Sequence, residues 1–501
     1  MTKAMVMAAV LAAGMLAARA DEAIPAVRWR GFNLTGMISS RDGRRPDLRE
    51  EDFRLIRDLG FNFARLPLDY RFWTKNGNPE EIDEKGFAPL DRAVDWGRRY
   101  GVHVQIALHR IPGYTVASEP EPRSIFRDAG MRNVACRHWA FIARRYRDRP
   151  NAEVSFNLMN EPALVDDATC SAVCRALIDA IRNEDPRRFI VADGLEWGRV
   201  PIRGLYGIPG VGQATRGYDP KRLTHYLASW ADTPKERPRW PVNPDSPCGL
   251  LQGPGAGAEH GVFRLHDVPA GEIELTFGKV MGPSRLEVRG DGHLIGEIRL
   301  APQEGPDWTE AKYYDRWKVW QAIPREPKTV AVPKAVRLLT LESVEGDWCQ
   351  LTRLGCHDRK GRGGRLKFAT ERIPPRNFEW RFLGRKDRPF ECVKPVKWRY
   401  PGHQGMEYLY RTWFHRWDEA VTNGTWTMAG EFGVVSTVPH PIALRLIGDY
   451  LALWKERNMG WAMWELRGTM GVLDSERKDV DYEDFHGHKL DRKMLELLQA
   501  N

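Results

Sequence analysis

Short apolar runs alternate with amphipathic stretches of helical period along most of this chain, and that alternation restricts the fold more than any other feature. Residues 27–36, 61–68, 102–109, 152–161, 189–197 and 212–220 read as strands. Between them, Phe53, Ile56 and Leu59 carry helical spacing with Gly60 as a stop, and 89–101 runs from a Pro to a terminal Gly. Further helices are expected at 131–147 and 169–184. Strands that repeat in one direction need crossovers, and helices supply them. An open doubly wound sheet and a closed (β/α)8 barrel both satisfy this. The strand ends discriminate between them. Asn33, Arg65, His109, Asn160, Glu161 and Trp197 all lie near a strand's C-terminal end. A barrel gathers such ends around one mouth, whereas an open sheet gathers only those at its switch point. No Gly-rich phosphate fingerprint follows the first strand. The expected fold is therefore α/β, a TIM barrel.

The rhythm breaks near Trp240, in a stretch rich in Pro and Gly. Alternating apolar and polar residues follow, and Gly290-Asp291-Gly292 between two such runs signals a hairpin. The expected organisation is a leader at 1–20, a first barrel part at 21–244 and a β-sandwich inserted at 245–357 after strand six. A linker or edge excursion at 358–397 and a second barrel part at 398–501 complete it. In that last part, helices are expected at 406–421, 440–457 and 490–499, and strands at 426–434 and 460–466.

Glu161 in "NEP" and Glu431 in "GEFG" each end an apolar strand. A barrel can bring both to one mouth. Glycoside cleavage needs such a pair: one carboxyl protonates the leaving oxygen, and the other attacks the sugar or activates water. Either Glu alone reads equally as a surface or ion-paired residue. Together with Asn160, His109 and Arg65 on neighbouring strands, the pair points to glycosidase chemistry.

The segments "GFNFARLPL", "ALHRIPG", "VSFNLMNEP", "YDPKRLTH", "AGEFGV" and "GWAMWELRGTMGVLDS" together resemble glycoside hydrolase family 5, the cellulase family. They cover residues of about 28–240 and 398–500 in the family's order. The resemblance implies a (β/α)8 barrel that hydrolyses β-linked glycans with retention, with Glu161 as acid/base and Glu431 as nucleophile. It implies that Arg65 sits below Glu431, that Asn160 binds the sugar 2-hydroxyl, that His109 lines the subsite at the bond and that Trp464 is a stacking floor. Tyr218 matches the family's Tyr near the nucleophile. The family usually has His two residues before that Tyr, and here the position is Arg216. A cation there is expected to favour ionised carboxylates and to lower the pKa of the acid. No metal and no cofactor is implied. A non-catalytic carbohydrate-binding barrel and a transglycosylase are the alternative readings, and β-1,4-glucan, β-1,3-glucan and mannan remain open as substrates.

Other features bound the function. The formal charge is +9, but acidic residues are interleaved throughout and no nucleic-acid motif appears. Residues 1–20 read as a secretory leader ending in Ala-Arg-Ala, so a secreted or periplasmic protein is expected. No other run is apolar enough for a membrane span. Seven Cys are present, an odd number, and Cys248, Cys349 and Cys356 share the β-rich region. His486 and His488 resemble a metal pair without a third ligand, and read better as a surface loop. Trp73, Trp197, Trp230 and Arg467 shape sugar subsites or simply pack. Trp308, Trp317, Trp320 and Trp348 form a stacking face or the sandwich core. No GxSxG elbow exists, which disfavours a serine hydrolase.

Overall fold

The computed structural model describes residues 27–501 apart from 118, 232–236, 255–260, 316–317, 369–377 and 396. The leader at 1–20 and Trp317 lie outside the described residues. The chain divides into two units: one runs to Trp240 and resumes at Trp413, and the other spans Pro241–Thr412.

The first unit is a closed barrel of eight parallel strands. These are β1 (Arg30–Asn33), β2 (Phe63–Asp69), β3 (His103–Ile111), β4 (Val154–Asn157), β5 (Ile190–Asp193), β6 (Val211–Gly217), β7 (Thr427–Phe432) and β8 (Gly460–Met463). Each pairs with the next, and β8 closes onto β1 through Arg30 opposite Trp461. The β1–β2 seam is tight. A Cβ on Gly31 would lie 1.8 Å from the Phe63 carbonyl oxygen, so only glycine fits there.

Helices α1 (Glu50–Asp58), α2 (Ala88–Tyr100), α3 (Ala129–Tyr146), α4 (Asp167–Glu184), α5 (His415–Thr422), α6 (His440–Glu456) and α7 (Arg492–Gln499) belong to the same unit. Their ends follow ordinary capping chemistry. Asp128 and Asp166 accept backbone N–H bonds from Met131 and Thr169 at the starts of α3 and α4. Gly101 ends α2 in the left-handed conformation. The helix expected at 406–421 is broken. It forms a short helix at Gln404–Leu409, a π turn at Tyr410–Phe414 and then α5. Between β5 and β6 there are only short helical turns, at Leu195–Gly198 and Arg203–Leu205.

The barrel interior is layered. Trp29, Phe63, Phe189, Val191, Ala214, Met428 and Ala462 pack at the strand N-termini, and the His103 ring stacks on Trp29 at 4.0 Å. Above this lie Gln105 and Ser155, both fully buried. The polar residues of the mouth come next. Apolar stuffing below and polar groups above is what a barrel whose chemistry sits at the strand C-termini requires.

The second unit is a β-sandwich. Among the described residues it holds a seven-stranded and a six-stranded sheet. Leu251, Ile273, Leu275 and Leu354 from one sheet pack in a single buried cluster with Phe263, Leu286, Val288 and Leu341 from the other. Strands 284–290 and 293–300 form the hairpin signalled by the sequence. Asp291 and Gly292 both have positive φ, the signature of a two-residue primed turn. Of the two readings of 358–397, the edge excursion fits and the linker does not: Gly363–Lys367, Glu379–Phe382 and Phe390–Cys392 are strands at the ends of these sheets. Trp308 packs against the core, and Trp320 pairs with Tyr313 at 5.4 Å. Cys349 and Cys356 are free buried thiols, each pushed up to about 12 by burial. Among the described residues, no helix is long and apolar enough to cross a membrane.

Arg188 locks the barrel's outer wall. Its guanidinium donates to Asp185 Oδ2 and to the carbonyls of Val154, Tyr146 and Arg149 at 2.6–2.8 Å. It also lies over the Phe156 ring at 5.0 Å. Arg188→Ala leaves a carboxylate and three carbonyls without this donor, and is expected to cost about 3–5 kcal/mol. Denaturant melts of both proteins measure this, and a loss below about 1 kcal/mol contradicts the assignment.

Candidate active site

Seven polar or aromatic residues singled out from the sequence meet at the C-terminal mouth of the barrel. Arg65, on β2, is fully buried and binds four of its neighbours. Nη1 donates to Glu431 Oε1 at 2.6 Å and to Asn33 Oδ1 at 3.0 Å. Nε donates to Asn157 Oδ1 at 2.9 Å, and Nη2 to Asn160 Oδ1 at 3.0 Å. These are strand residues of β1, β4 and β7 and a residue just past β4, so one cation ties half the barrel together.

Glu431 reaches the interior through an irregularity in β7. The register against β6 shifts between Ala429 and Glu431, with Gly430 as the extra residue. A bulge re-aims the side chain after it. Glu431 is thereby buried at 3% exposure and faces Arg216 across the ladder. Tyr218 donates its hydroxyl to Glu431 Oε2 at 3.3 Å. Burial, then the Glu431 charge, raises the Tyr218 phenol well above its ordinary value, so it stays a donor.

Glu161 lies past the end of β4 with φ +50°, in the left-handed region. That conformation costs a non-glycine residue roughly 1 kcal/mol, and the surroundings hold it. Its N–H donates to Asp193 Oδ2 at 3.0 Å. The Tyr114 hydroxyl donates to the Glu161 carbonyl at 2.8 Å and accepts from the Ala163 N–H at 2.9 Å. The carboxyl accepts from Arg216 Nε at 3.0 Å. Burial and the nearby Glu431 charge raise its pKa to about 7, against the opposing pull of Arg216. The cation at position 216 does contact Glu161. Its pull downward, expected from the sequence, is outweighed by desolvation and by the second carboxylate.

His109 ends in the same space, its ring 5.9 Å from that of Trp464. Burial lowers it to about 4, with Glu431 opposing and Arg65 and Arg216 assisting, so it is a neutral imidazole at neutral pH. Trp464 is only half-buried, and its backbone N–H donates to the Phe432 carbonyl at 2.7 Å. Two buried polar atoms have no partner here: Asn160 Nδ2 and His109 Nδ1.

Three further residues complete the network. Asp193 at the end of β5 binds Arg216, accepts from Asn157 Nδ2 at 3.0 Å and lies 3.8 Å from Arg65. Asn33 and Asn157 fill the remaining positions around Arg65. The sequence carries a signal for Asp193, the polar end of the apolar run Phe189–Ala192, whereas Asn157 shares its stave with Ser155 and Asn160, and Trp197 nearby is more conspicuous. Trp197 itself is 44% exposed and donates its backbone N–H to the Pro162 carbonyl at 3.4 Å. Trp230 is exposed as well. Trp73 is buried and hydrogen-bonded to His138, so it is core. Arg467 pairs with Asp52 at 2.7 Å. His488 Nδ1 lies 2.7 Å from Asp474, and among the described residues no cluster of three or more His, Cys, Asp or Glu could hold a metal.

Residues 20–225 match the family model described as cellulase, glycosyl hydrolase family 5, which bears out the resemblance carried by the motifs. The chain is 27% identical over 222 residues to endoglucanase 3 of Fibrobacter succinogenes, covering 40% of this chain and 33% of that protein. It is 26% identical over 211 residues to endoglucanase C of Acetivibrio thermocellus, covering 40% and 61%. It is 30% identical over 223 residues to cellodextrinase A of Ruminococcus flavefaciens, again covering 40% and 61%. This chain thus spans a third to about three fifths of the length of these relatives. Among solved structures, a glycoside hydrolase superposes with a TM-score of 0.58 at 22% identity, covering 94% of this chain and 98% of that one. Thermotoga maritima Cel5A in complex with mannotriose gives 0.50 at 15% identity, covering 94% and 97%. At these identities the structures establish a shared fold.

The Glu431 charge is one cause of the raised Glu161 pKa. Glu431→Gln removes that charge and leaves the volume nearly unchanged. The Glu161 carboxyl is then expected to titrate below its wild-type value of about 7, read by carboxyl-carbon NMR. An unmoved midpoint breaks the electrostatic link between the two groups.

Proposed function

With residues 20–225 matching glycosyl hydrolase family 5, we propose that this chain is a retaining β-glycosidase acting on a β-glucan or a related β-glycan. Glu161 is the acid/base and Glu431 the nucleophile. The observation that carries the reading is the contrast between the two carboxyls. Glu431 is paired with the Arg65 and Arg216 guanidinium groups, whereas Glu161, in the same mouth, holds its proton to about pH 7. A carboxyl that keeps its proton beside one held between two guanidinium groups is what an acid and a nucleophile require.

The steps of the reaction come from this arrangement. A Glu431 oxygen bonds to the anomeric carbon as the glycosidic C–O bond breaks, and Glu161 gives its proton to the departing oxygen. Water then bonds to the same carbon as the ester C–O bond breaks, and Glu161 takes the water's proton. The unpartnered Asn160 Nδ2 supports a donor for the sugar 2-hydroxyl, with its Oδ1 already held by Arg65 and Arg216. Neutral His109 and half-buried Trp464 wall the same subsite. Trp197, exposed beside the Glu161–Pro162 turn, supports a platform on the leaving-group side. The apolar leader at 1–20 supports action outside the cytoplasm.

Glu431→Gln is expected to lower kcat at least about 10⁴-fold, and Glu161→Gln about 10²–10⁴-fold on substrates with poor leaving groups. Both variants should still bind oligosaccharide by calorimetry. Turnover by Glu431→Gln at wild-type rate removes it as the nucleophile. A wild type inert on every β-glycan tried makes the barrel a binding protein.

The pH dependence has a defined sign. Glu161 must carry a proton to act as the acid, so kcat/KM is expected to fall as pH rises through about 7. A profile flat to about pH 9 on a substrate with a poor leaving group assigns the proton donor elsewhere.

A further inference from the structure

Arg216 touches both proposed catalytic carboxyls with one guanidinium. Nε donates to Glu161 Oε1 at 3.0 Å, and Nη2 lies 3.3 Å from Glu431 Oε1. Nη2 also binds the Asp193 carboxylate and donates to Asn160 Oδ1 at 3.0 Å, while Nη1 donates to the Thr215 carbonyl at 3.1 Å. The side chain is 1% exposed. The space for it is built by two glycines. A Cβ on Gly430 would lie 2.7 Å from Arg216 Nη1, and one on Gly198 2.7 Å from its Cγ. Gly198 also has φ +81°, where other residues are strained. The Gly430 contact falls on the guanidinium itself, so the missing side chain there makes room for the end of the Arg.

We propose that Arg216 is a positioning residue that serves the two carboxyls in turn, compensating Glu431 in the resting site and Glu161 once Glu431 is esterified. This rests on the retaining reading given above. The deciding quantity is the sum of charges at the mouth. Arg65 and Arg216 supply two positive charges. Asp193, held below the ordinary carboxylate range by Arg216 and Arg65 despite its burial, supplies one negative charge. Glu431 supplies the second. The four balance with Glu161 neutral, which is the form the first step needs. Forming the ester bond between a Glu431 oxygen and the anomeric carbon removes one negative charge. The proton that Glu161 has just given to the leaving oxygen leaves a carboxylate in its place, and Arg216 Nε is already bonded to it. The balance is restored with Glu161 anionic, which is the form that accepts water's proton in the second step. The other titratable groups of the mouth are Asp193 on β5, Arg65 on β2, His109 on β3, Tyr218 past β6 and Tyr114, and the two steps move no proton to or from any of them.

The test compares wild type, Arg216→Gln and Arg216→Lys. The retaining reading is checked first: a 2-fluoro-β-glycoside with a good leaving group should trap an ester on Glu431 of the wild type, seen by mass spectrometry. If no ester forms, the retaining reading and this inference both fall. If it forms, the variants decide the role of Arg216 by themselves. In Arg216→Gln, kcat on a dinitrophenyl β-glycoside should fall about 10²-fold and kcat/KM by less than tenfold. Glycosyl-enzyme should accumulate as a burst, and azide, which needs no base, should restore turnover. On a substrate with a poor leaving group, the high-pH limb of kcat/KM should move up by about one unit, while Arg216→Lys keeps it in place. Equal losses of kcat and kcat/KM, with no burst and no shift of the limb, reduce Arg216 to a structural role. A measurement on the wild type avoids any failure of the variants to fold. Trapping the ester should lower the NMR titration midpoint of Glu161 by two units or more from about 7. A midpoint that stays in place overturns the proposal.

Discussion

Arg65 is the interaction on which the rest of the mouth depends. Its guanidinium is fully buried, and burying an unpaired charge costs several kcal/mol. That cost is offset only if every donor has a partner in the right place. The partners are Asn33, Asn157, Asn160 and Glu431, which come from three other strands and the turn after β4. The ion pair therefore favours one barrel register over others. A slip of one residue on any of these strands turns the partner's side chain out of the barrel, and the cation is left exposed to apolar surroundings. The same group that places Glu431 also penalises misregistered closure of the barrel.

A second cation raises the question of why the mouth is not over-supplied with positive charge. Asp193 answers it. It accepts from Asn157 and from the Glu161 N–H while binding Arg216. One carboxylate thus anchors the backbone of the proposed acid, the cation beside it and the amide that holds Arg65. With Asp193 anionic, Glu161 is the one carboxyl left without a full counter-charge, and burial decides its state. The raised pKa of Glu161 then comes first from burial and second from the balance of charges around it, and no single neighbour accounts for it.

The strand order and the carboxyl pair were legible because both leave local marks. Apolar runs at regular intervals, each ending in a polar residue, have few explanations other than a barrel mouth. The break at Trp240 was visible as a change of period from helical to alternating. What was illegible was long-range. Asp193 looks in sequence like the polar end of one more strand, and its importance comes from Arg216 and Asn157, which reach it from other strands. What outweighs the downward pull of Arg216 on Glu161 was illegible for the same reason. Sequence shows a cation near an acid, but it does not show how much water has been removed or how close Glu431 stands. The stretch 358–397 carries Pro and Gly enough to read as a linker. Its strands are short, three to five residues each, so they leave little periodicity to count.

The insertion bears on how the two carboxyls find one another. β6 and β7 are paired neighbours, with Thr427 opposite Gln213 and Glu431 opposite Arg216, although the whole of the second unit lies between them in sequence. Joining adjacent strands through a long flexible loop costs closure entropy that grows with the logarithm of its length. A segment with its own buried core behaves differently, because its internal contacts supply the ordering that a loop would lack. The sandwich core of Leu251, Ile273, Phe263, Leu286 and their neighbours is such a source. Once that unit is folded, the chain still to be ordered between β6 and β7 is only the part that lies outside it. The β6–β7 pairing can then be decided by local chemistry. The Gly430 bulge admits the Arg216 guanidinium, and Glu431 on the facing strand neutralises part of its charge.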